Sequence, residues 1–294
     1  MPRMHVDEID TNPGLVKKLL TAQFPHWANL PIRRIATSGS DHAIYRLGDS
    51  ISARFPLIGW AQSQPEKEHF WLPILAPNLP IDVPKSLGLG SPGEGYPFHW
   101  AIHSWLPGAN PIPCDDSMLA RDVAALVCTL RTLDIQGEPP PQSAPALHQR
   151  DAFIRKSLAR FGGSADTTAV TAAWESALAA SATWDGALDW VHGDLGPGNL
   201  LVRDGRLCGL IDFGSFGRAD QAIDLRIAWS LFRGRARQVF REALDIGDDA
   251  WARARGYALA QAIAALPYYL TTNPGIVAIS RATLAEVLAE QAGG

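Results

Sequence analysis

One stretch of the chain, WVHGDLGPGNLLV at residues 190–202, places polar residues between two apolar runs. The apolar runs predict short strands, and the Gly- and Pro-containing segment that carries Asp194 and Asn199 predicts a loop. A second apolar run follows the Asp204-Gly205 pair and ends at Asp212. An Asp-Gly pair between apolar segments predicts a β-hairpin. We therefore expect Asn199 and Asp212 on neighbouring strands of one hairpin, with Asp194 close to both.

These three side chains form a set that suits phosphoryl transfer. Mg²⁺ prefers hard oxygen ligands and keeps several waters, so Asn199 and Asp212 with phosphate oxygens are sufficient to bind it. Asp194 then remains to accept a proton from an attacking hydroxyl group. An Asp followed five residues later by Asn, and then by the Asp-Phe-Gly at 212–214, is the arrangement of kinase-type enzymes.

The same segments resemble a known family. HGDLGPGNLLV and GLIDFGSFGRADQAIDLRIA are similar to the aminoglycoside phosphotransferase family, which includes macrolide phosphotransferases and is related to protein kinases. The resemblance implies an α+β, protein-kinase-like fold with two lobes. Residues 1–104 would form a nucleotide-binding lobe with a small β-sheet and one main helix. Residues 105–294 would form a larger, mostly helical lobe that carries the catalytic and acceptor-binding residues.

The resemblance also implies how the nucleotide is held. The family places a Lys on the third strand and a Glu on the following helix, whereas this chain has Arg54 and Glu68. Arg is always charged and binds phosphate or carboxylate through two parallel hydrogen bonds, so we expect Arg54 to bind the α- and β-phosphates. The alternative is a surface ion pair between Arg54 and Glu68, which would contribute little stability.

Two further segments are expected to contact the nucleotide. The turn TSGSDHA would cover the phosphates through backbone N–H groups at Gly39 and Ser40. The segment IHSWLPG resembles the family's hinge, in which the Ser104 carbonyl and the Leu106 amide would bind the purine. The alternative for the first segment is an ordinary β-turn, and for the second it is an ordinary strand end, neither of which binds a nucleotide.

Hydrophobic periodicity predicts the elements around the motifs. In the first hundred residues we expect strands and a single helix at SQPEKEHFWLPIL, started by a Ser63–Glu66 capping box and kinked or ended at Pro73. The apolar spacing of DDSMLARDVAALVCTLRTL predicts a helix capped by Asp115 or Asp116. Further helices are expected at about 147–161 and 168–182, and throughout the region after Ala219, with breaks near Gly247 and at TTNPG.

Composition excludes some other functions. A chain of 294 residues predicts two domains. A formal charge of −4 and a pI near 6.1 argue against a nucleic-acid partner. The longest apolar stretch, ALAQAIAALPYYL, is too short to cross a bilayer. We read the three scattered cysteines as reduced thiols, and we expect a cytoplasmic monomer or homodimer. The three cysteines are Cys114, Cys128 and Cys208.

The resemblance implies an ATP- or GTP-dependent O-phosphotransferase that needs Mg²⁺ and acts on a small molecule, with an aminoglycoside-type antibiotic as the leading acceptor. Alternatives are a macrolide, another small metabolite such as a sugar, amino-alcohol or fructosamine, and a nucleotide-binding, pseudokinase-like module. A polyamine acceptor requires carboxylates, and a macrolide requires a larger apolar cleft. Possible acceptor contacts in the C-terminal region are Glu242, Asp245, Asp248, Asp249, Tyr268 and Tyr269.

Overall fold

The computed structural model describes residues 4–5, 7–35, 39, 41–135, 145–160 and 167–293. These residues form two compact units. The N-terminal unit comprises the described residues of 1–108 together with 208–214. The C-terminal unit comprises those of 109–207 and 215–294. The molecule is an α+β protein, as predicted, because a β-sheet dominates one unit and helices dominate the other.

The N-terminal unit is built on a five-stranded antiparallel sheet with the strand order β1-β2-β3-β5-β4. Two helices accompany the sheet. The elements are α1 Pro13–Gln23, β1 Ile32–Ile35, β2 His42–Leu47, β3 Ile51–Pro56, α2 Gln64–Leu75, β4 Ser86–Gly90 and β5 Trp100–Ser104.

Helix α1 shows that the expectation of a single helix in this region was wrong. Asn12 begins α1, because its side chain accepts a hydrogen bond from the Leu15 N–H at 3.0 Å and Pro13 fits the first turn. The buried Leu19 and Leu20 of α1 belong to the same apolar core as Phe55 of β3. This core covers one face of the sheet and leaves the other face to α2 and the polar residues described below.

Helix α2 spans the predicted segment but lacks the predicted capping box. Ser63 has helical backbone angles, φ −88° and ψ −7°, and its side chain makes no capping hydrogen bond. A capping side chain needs an extended backbone at that position, so the predicted capping box is absent from α2. Instead, Glu66 Oε1 lies 3.4 Å from His99 Nδ1. Pro73 lies within the helix, which ends two residues later at Leu75.

The C-terminal unit is mostly helical and includes the short antiparallel pair β6 and β9. Strand β9 was not predicted, because three residues are too few to show an alternating pattern. The elements are α3 Ser117–Arg131, α4 Leu147–Leu158, α5 Thr167–Ala182, β6 Asp189–Val191, β7 Leu200–Arg203, β9 Gly217–Ala219, α6 Ala222–Leu225, α7 Ile227–Ser230, α8 Gly234–Leu244, α9 Asp248–Tyr269 and α10 Pro274–Gly293. Strand β8, Arg206–Leu210, begins in this unit and ends in the 208–214 segment of the N-terminal unit.

The turns of this unit follow the predicted chemistry. Asp116 is the residue that caps α3, because its carboxylate accepts from the Met118 and Leu119 amides at 2.8 and 3.1 Å. Asp204 and Gly205 have φ values of +51° and +74°, as a type I′ hairpin turn requires. Of the helices in the described residues, none has the length and apolar character that a membrane span requires.

Candidate active site

The N-terminal unit holds one buried guanidinium between two carboxylates. Arg54, in the middle of β3, places Nη1 3.2 Å from Glu68 Oε1 and Nη2 2.8 Å from Asp212 Oδ1. The side chains of Arg54 and Glu68 are 8% and 2% exposed, so the pair is buried and is not the surface ion pair of the alternative reading. Asp212 is 33% exposed and is therefore open to a ligand.

Local backbone geometry explains why these three residues meet. Arg54 lies opposite Ile44 of β2 and Ala101 of β5, which fixes it in the centre of the sheet. Asp212 has φ +68°, a left-handed conformation that turns the chain just after β8. The next amide, Phe213 N–H, then donates to Glu68 Oε1 at 2.9 Å. Glu68 therefore binds both the cation and the backbone of the Asp-Phe-Gly segment.

The electrostatics of this cluster keep Arg54 charged. Burial alone would lower the pKa of Arg54, but the Asp212 and Glu68 carboxylates outweigh it and raise that pKa above its ordinary value. Burial raises the pKa of Glu68, and the nearby Asp212 charge adds to this shift, whereas Arg54 opposes it. The cluster thus combines a permanent cation with a carboxylate that is costly to leave unpaired.

Two buried histidines flank the same cation. Burial lowers the pKa of His42 to about 4 and the pKa of His103 to about 3, and in both cases the charge of Arg54 adds to the effect. His103 pairs with Ser52, which comes two residues before Arg54 on β3. The side chains of His103 and Arg54 therefore lie on the same face of the sheet. Both ring nitrogens of His103 and Nε2 of His42 lack a hydrogen-bond partner among the described residues.

The other residues expected at the nucleotide lie at the end of β5 or outside the described residues. Ser104 ends β5, and its amide and hydroxyl both bind the backbone of Lys85, at 2.9 and 2.8 Å. Leu106 is half-buried, and its backbone N–H makes no hydrogen bond within the described part of the chain. Ser40 lies outside the described residues.

The C-terminal unit brings Asp194 and Asn199 into direct contact. The Asn199 side-chain NH₂ donates to the Asp194 carbonyl at 2.8 Å and to Asp194 Oδ2 at 3.2 Å. A single turn of 3-10 helix, Pro197–Asn199, closes the loop and places Asn199 directly before β7. Because the amide nitrogen is used inside the loop, the amide oxygen of Asn199 is the atom suited to a metal ion.

A buried carboxylate holds the backbone of this loop. Asp224 accepts from the His192 amide at 2.6 Å and from the Gly193 amide at 2.9 Å. Gly193 has φ +82°, a left-handed conformation that favours glycine, and it turns both amides towards one carboxylate. Burial raises the pKa of Asp224, whereas His192 and the two hydrogen-bonded amides act in the opposite direction.

Sequence reasoning missed one residue that touches Asp194. Arg226 Nη2 lies 2.6 Å from Asp194 Oδ1 and 3.4 Å from the Gly193 carbonyl. The spacing offers a weak signal, since Arg226 comes two residues after Asp224 on the short segment that already binds the loop. Lone Arg residues are common on helices, so this signal alone predicts no contact.

The acids expected to bind the acceptor are partly neutralised by neighbours. Glu242 lies 2.9 Å from Arg235, and Asp248 pairs with Arg241. Tyr268 and Tyr269 contact each other edge to face, with ring centroids 4.8 Å apart.

The side chains expected to bind Mg²⁺ carry oxygen donors of the type that this ion prefers. No group of three or more His, Cys, Asp and Glu residues suited to a metal occurs among the described residues. A magnesium ion that phosphate oxygens also bind needs no such group, since one amide and one carboxylate are enough. Asp212 of the N-terminal unit offers a partly exposed carboxylate, and Asn199 of the C-terminal unit offers an amide oxygen, so each residue is of a type that Mg²⁺ binds.

Comparison with known proteins gives the fold and a family match. The sequence model described as the phosphotransferase enzyme family matches residues 32–257. A segment of 34 residues is 53% identical to the aminoglycoside 3'-phosphotransferase of Enterococcus faecalis. That local match spans 12% of this chain and 13% of the relative.

Three solved structures illustrate the similarity in fold. The GDP and kanamycin complex of APH(2")-IIIa has a TM-score of 0.74 and 16% identity, over 94% of this chain and 98% of that one. The ADP-bound aminoglycoside phosphotransferase APH(2'')-Ib has a TM-score of 0.62 and 15% identity, over 95% and 97%. The apoenzyme of macrolide 2'-phosphotransferase MphH from Brachybacterium faecium has a TM-score of 0.59 and 22% identity, over 94% and 98%.

Proposed function

The chain belongs to the phosphotransferase enzyme family, and we propose that it transfers the γ-phosphoryl group of ATP or GTP to a hydroxyl group of a small molecule. One observation carries this proposal. Asn199 binds Asp194 through its amide nitrogen, at 2.8 and 3.2 Å, so the residue proposed to accept the proton and the residue proposed to bind the metal ion lie in contact in one loop. Phosphoryl transfer depends on positioning and charge neutralisation, and a metal ion bound at Asn199 beside the base would serve both.

Asp194 is the proposed catalytic residue. Its side chain is 48% exposed, so an acceptor hydroxyl can reach the carboxylate. As the hydroxyl oxygen bonds to the γ-phosphorus, the bond from that phosphorus to the bridging oxygen breaks and the nucleoside diphosphate leaves. The hydroxyl proton passes to Asp194, which acts as general base.

Arg54 is proposed to bind the α- and β-phosphates, and Glu68 to position it. A guanidinium held by two carboxylates keeps a fixed direction, and the burial that surrounds it strengthens its interaction with an anion. The proposed role of Ser40 is to bind phosphate through its amide. The Ser104 carbonyl and the Leu106 amide are proposed to bind the purine, and this role is supported by the Leu106 N–H, which has no hydrogen bond to any described residue.

Asn199 and Asp212 are proposed to hold Mg²⁺. When bound, the ion neutralises phosphate charge and orients the phosphate oxygens.

An aminoglycoside-type antibiotic is the first acceptor to test, because APH(2")-IIIa binds kanamycin together with GDP. A macrolide is the second, because MphH shares the fold. The pairing of Glu242 and Asp248 with arginines reduces the negative charge available to a polyamine, and it therefore favours testing neutral acceptors as well. Sugars, amino-alcohols and fructosamines complete the panel.

The deciding experiment measures phosphate transfer by the mass of the product, with Mg²⁺, ATP or GTP, and each acceptor of the panel. We expect Asp194→Asn to lower kcat by about 10²- to 10⁴-fold, the usual contribution of a general base, while folding and nucleotide binding remain. Asp204→Asn is the matched control, because Asp204 is exposed in the hairpin turn and Asn also adopts its positive φ. Full activity of Asp194→Asn would show that Asp194 is not the base.

The pseudokinase-like alternative rests on Arg54 in place of the family's Lys. Thermal unfolding with nucleotide, with and without Mg²⁺, separates it from an enzyme, because a ligand that binds only the folded state raises Tm. We expect the nucleotide to stabilise the protein only when Mg²⁺ is present, and Asn199→Ala to remove most of that dependence. Stabilisation that ignores the metal would favour the binding module.

A further inference from the structure

The segment Asp224–Arg226 contacts the loop of Asp194 in two ways. Asp224 binds the backbone amides of His192 and Gly193, and Arg226 binds the carboxylate of Asp194 itself. We propose that Arg226 is a positioning residue that holds the Asp194 carboxylate in the orientation in which it meets the acceptor hydroxyl. This inference rests on the proposed function, in which Asp194 is the general base.

The contacts fix the carboxylate at both oxygens. Arg226 Nη2 lies 2.6 Å from Asp194 Oδ1, and Asn199 Nδ2 lies 3.2 Å from Oδ2. Rotation of the carboxylate about its bond to Cβ would break both hydrogen bonds. A base must lie within hydrogen-bond reach of the proton that it takes, and a displacement of about 1 Å can lower a rate by about 10²-fold.

The exposure of the two side chains shows which side of the Asp194 carboxylate Arg226 occupies. The side chain of Arg226 is 8% exposed, whereas that of Asp194 is 48% exposed. The guanidinium therefore contacts the carboxylate from the protein interior and leaves the solvent side open to an acceptor. Arg226 also contacts the Gly193 carbonyl at 3.4 Å, while its Nε has no partner in the described part of the chain.

A second Arg–Asp pair of the same unit has a different character. Arg253 of α9 binds Asp220 through two hydrogen bonds of 2.8 and 3.2 Å, and the two side chains are 6% and 2% exposed. Neither residue is open to solvent, so this pair stabilises the packing of α9. Arg253 therefore provides a matched control, since Arg253→Ala also removes a buried guanidinium that pairs with an aspartate in the same unit.

The test compares Arg226→Ala, Arg226→Lys and Arg253→Ala with the wild type and Asp194→Asn. Each protein receives Mg²⁺ with ATP or GTP, and the assay measures phosphate release to water or to the acceptor that the panel identifies. We expect Arg226→Ala to lower kcat by about 10- to 100-fold, with the nucleotide KM within about threefold of the wild type. Arg226→Lys, which keeps the charge and N–H donors but lacks the planar guanidinium, should lose less.

Chemical rescue separates positioning from folding. Guanidinium chloride at concentrations below those that unfold the protein should restore part of kcat in Arg226→Ala, because the small cation fills the same position. Urea at the same concentrations should restore nothing, and Arg253→Ala should lower Tm without a response of kcat to guanidinium. The Lys variant serves this test if the Ala variant does not fold, since a reduced kcat at unchanged Tm and KM supports the same role.

Two results would overturn the inference. One is wild-type kcat in the folded Arg226 variants while Asp194→Asn is inactive. The other is a loss of kcat in a folded Arg226→Ala that guanidinium does not restore and that follows Tm as in Arg253→Ala. A fully active Asp194→Asn would instead refute the proposed function, so the two failures are distinguishable.

Discussion

Because His103 is buried as a neutral imidazole, we expect its contribution to the stability of the N-terminal unit to decrease at acidic pH. The pKa of His103 is lowered to about 3 by burial and by Arg54, whereas a histidine in an unfolded chain has a pKa of about 6.5. Below pH 6.5 the unfolded state therefore binds more protons than the folded state. The contribution of His103 to the free energy of unfolding must then fall as the pH falls from 6.5 towards 3.

The size of this effect follows from the difference in proton binding. One pKa unit corresponds to about 1.4 kcal/mol, so at pH 5, about 1.5 units below the unfolded value, the loss from His103 is about 2 kcal/mol. His42, whose pKa is lowered to about 4 by burial and by Arg54, adds a similar loss. Together the two side chains remove roughly 4 kcal/mol between neutral pH and pH 5.

The substitution His103→Leu should remove one half of this pH dependence. Neither ring nitrogen has a hydrogen-bond partner among the described residues, so the apolar side chain costs no hydrogen bond and stability at pH 7 should be equal or higher. At pH 5 the variant should exceed the wild type by about 2 kcal/mol. The double variant with His42→Leu should lose almost no stability through these groups.

Urea unfolding at pH 7 and pH 5 measures the effect, with tryptophan fluorescence and circular dichroism as probes. Comparing the change in the wild type with the change in each variant cancels the contributions of the carboxylates. If His103→Leu loses as much stability between pH 7 and pH 5 as the wild type, the buried neutral imidazole is not the cause and the reasoning fails.

Three other substitutions test the contacts of the site. Arg54→Met should destabilise the protein by about 3–5 kcal/mol in urea unfolding, because Glu68 would lose the cation beside it; a loss below about 1 kcal/mol would contradict the ion pair. Asp224→Asn should lower the free energy of unfolding by about 1–3 kcal/mol and lower kcat, because the amide has a single oxygen for the two loop N–H groups that the carboxylate binds with both oxygens. Unchanged Tm and kcat would argue against a role of Asp224 in holding the loop. Asp116→Ala, which removes the cap of α3, should lower stability by about 1 kcal/mol and leave turnover unchanged, whereas a change in turnover would mean that α3 acts on the site.

Local sequence patterns predicted most of the elements, because each pattern has a local physical cause. The Asp204-Gly205 pair predicted its turn, since Asp and Gly both tolerate a positive φ. Asp116 predicted the start of α3, since its carboxylate reaches amides two and three residues away. The Ser63 cap failed because the backbone before α2 is already helical, and its sequence resembles that of a true cap.

The motif spacing also predicted that Asn199 and Asp194 would lie together, because a loop of six residues leaves them few alternatives. The pairing of Arg54 with Glu68 was only implied by the family resemblance, and the contact of Arg54 with Asp212 was not predicted. These contacts depend on the register of β3 between two strands and on a helix that follows, and on the turn at Asp212 far along the chain.

The contacts around the charged groups are determined by tertiary packing alone. No pattern within thirty residues shows that Arg226 reaches Asp194, or that both ring nitrogens of His103 have no hydrogen-bond partner among the described residues. Such features depend on segments that the chain brings together only on folding. Local patterns act through the backbone of a few neighbouring residues, so they suffice for turns, caps and the Asp194–Asn199 loop. Burial and ion pairing depend on every element packed nearby, and only the folded chain specifies them.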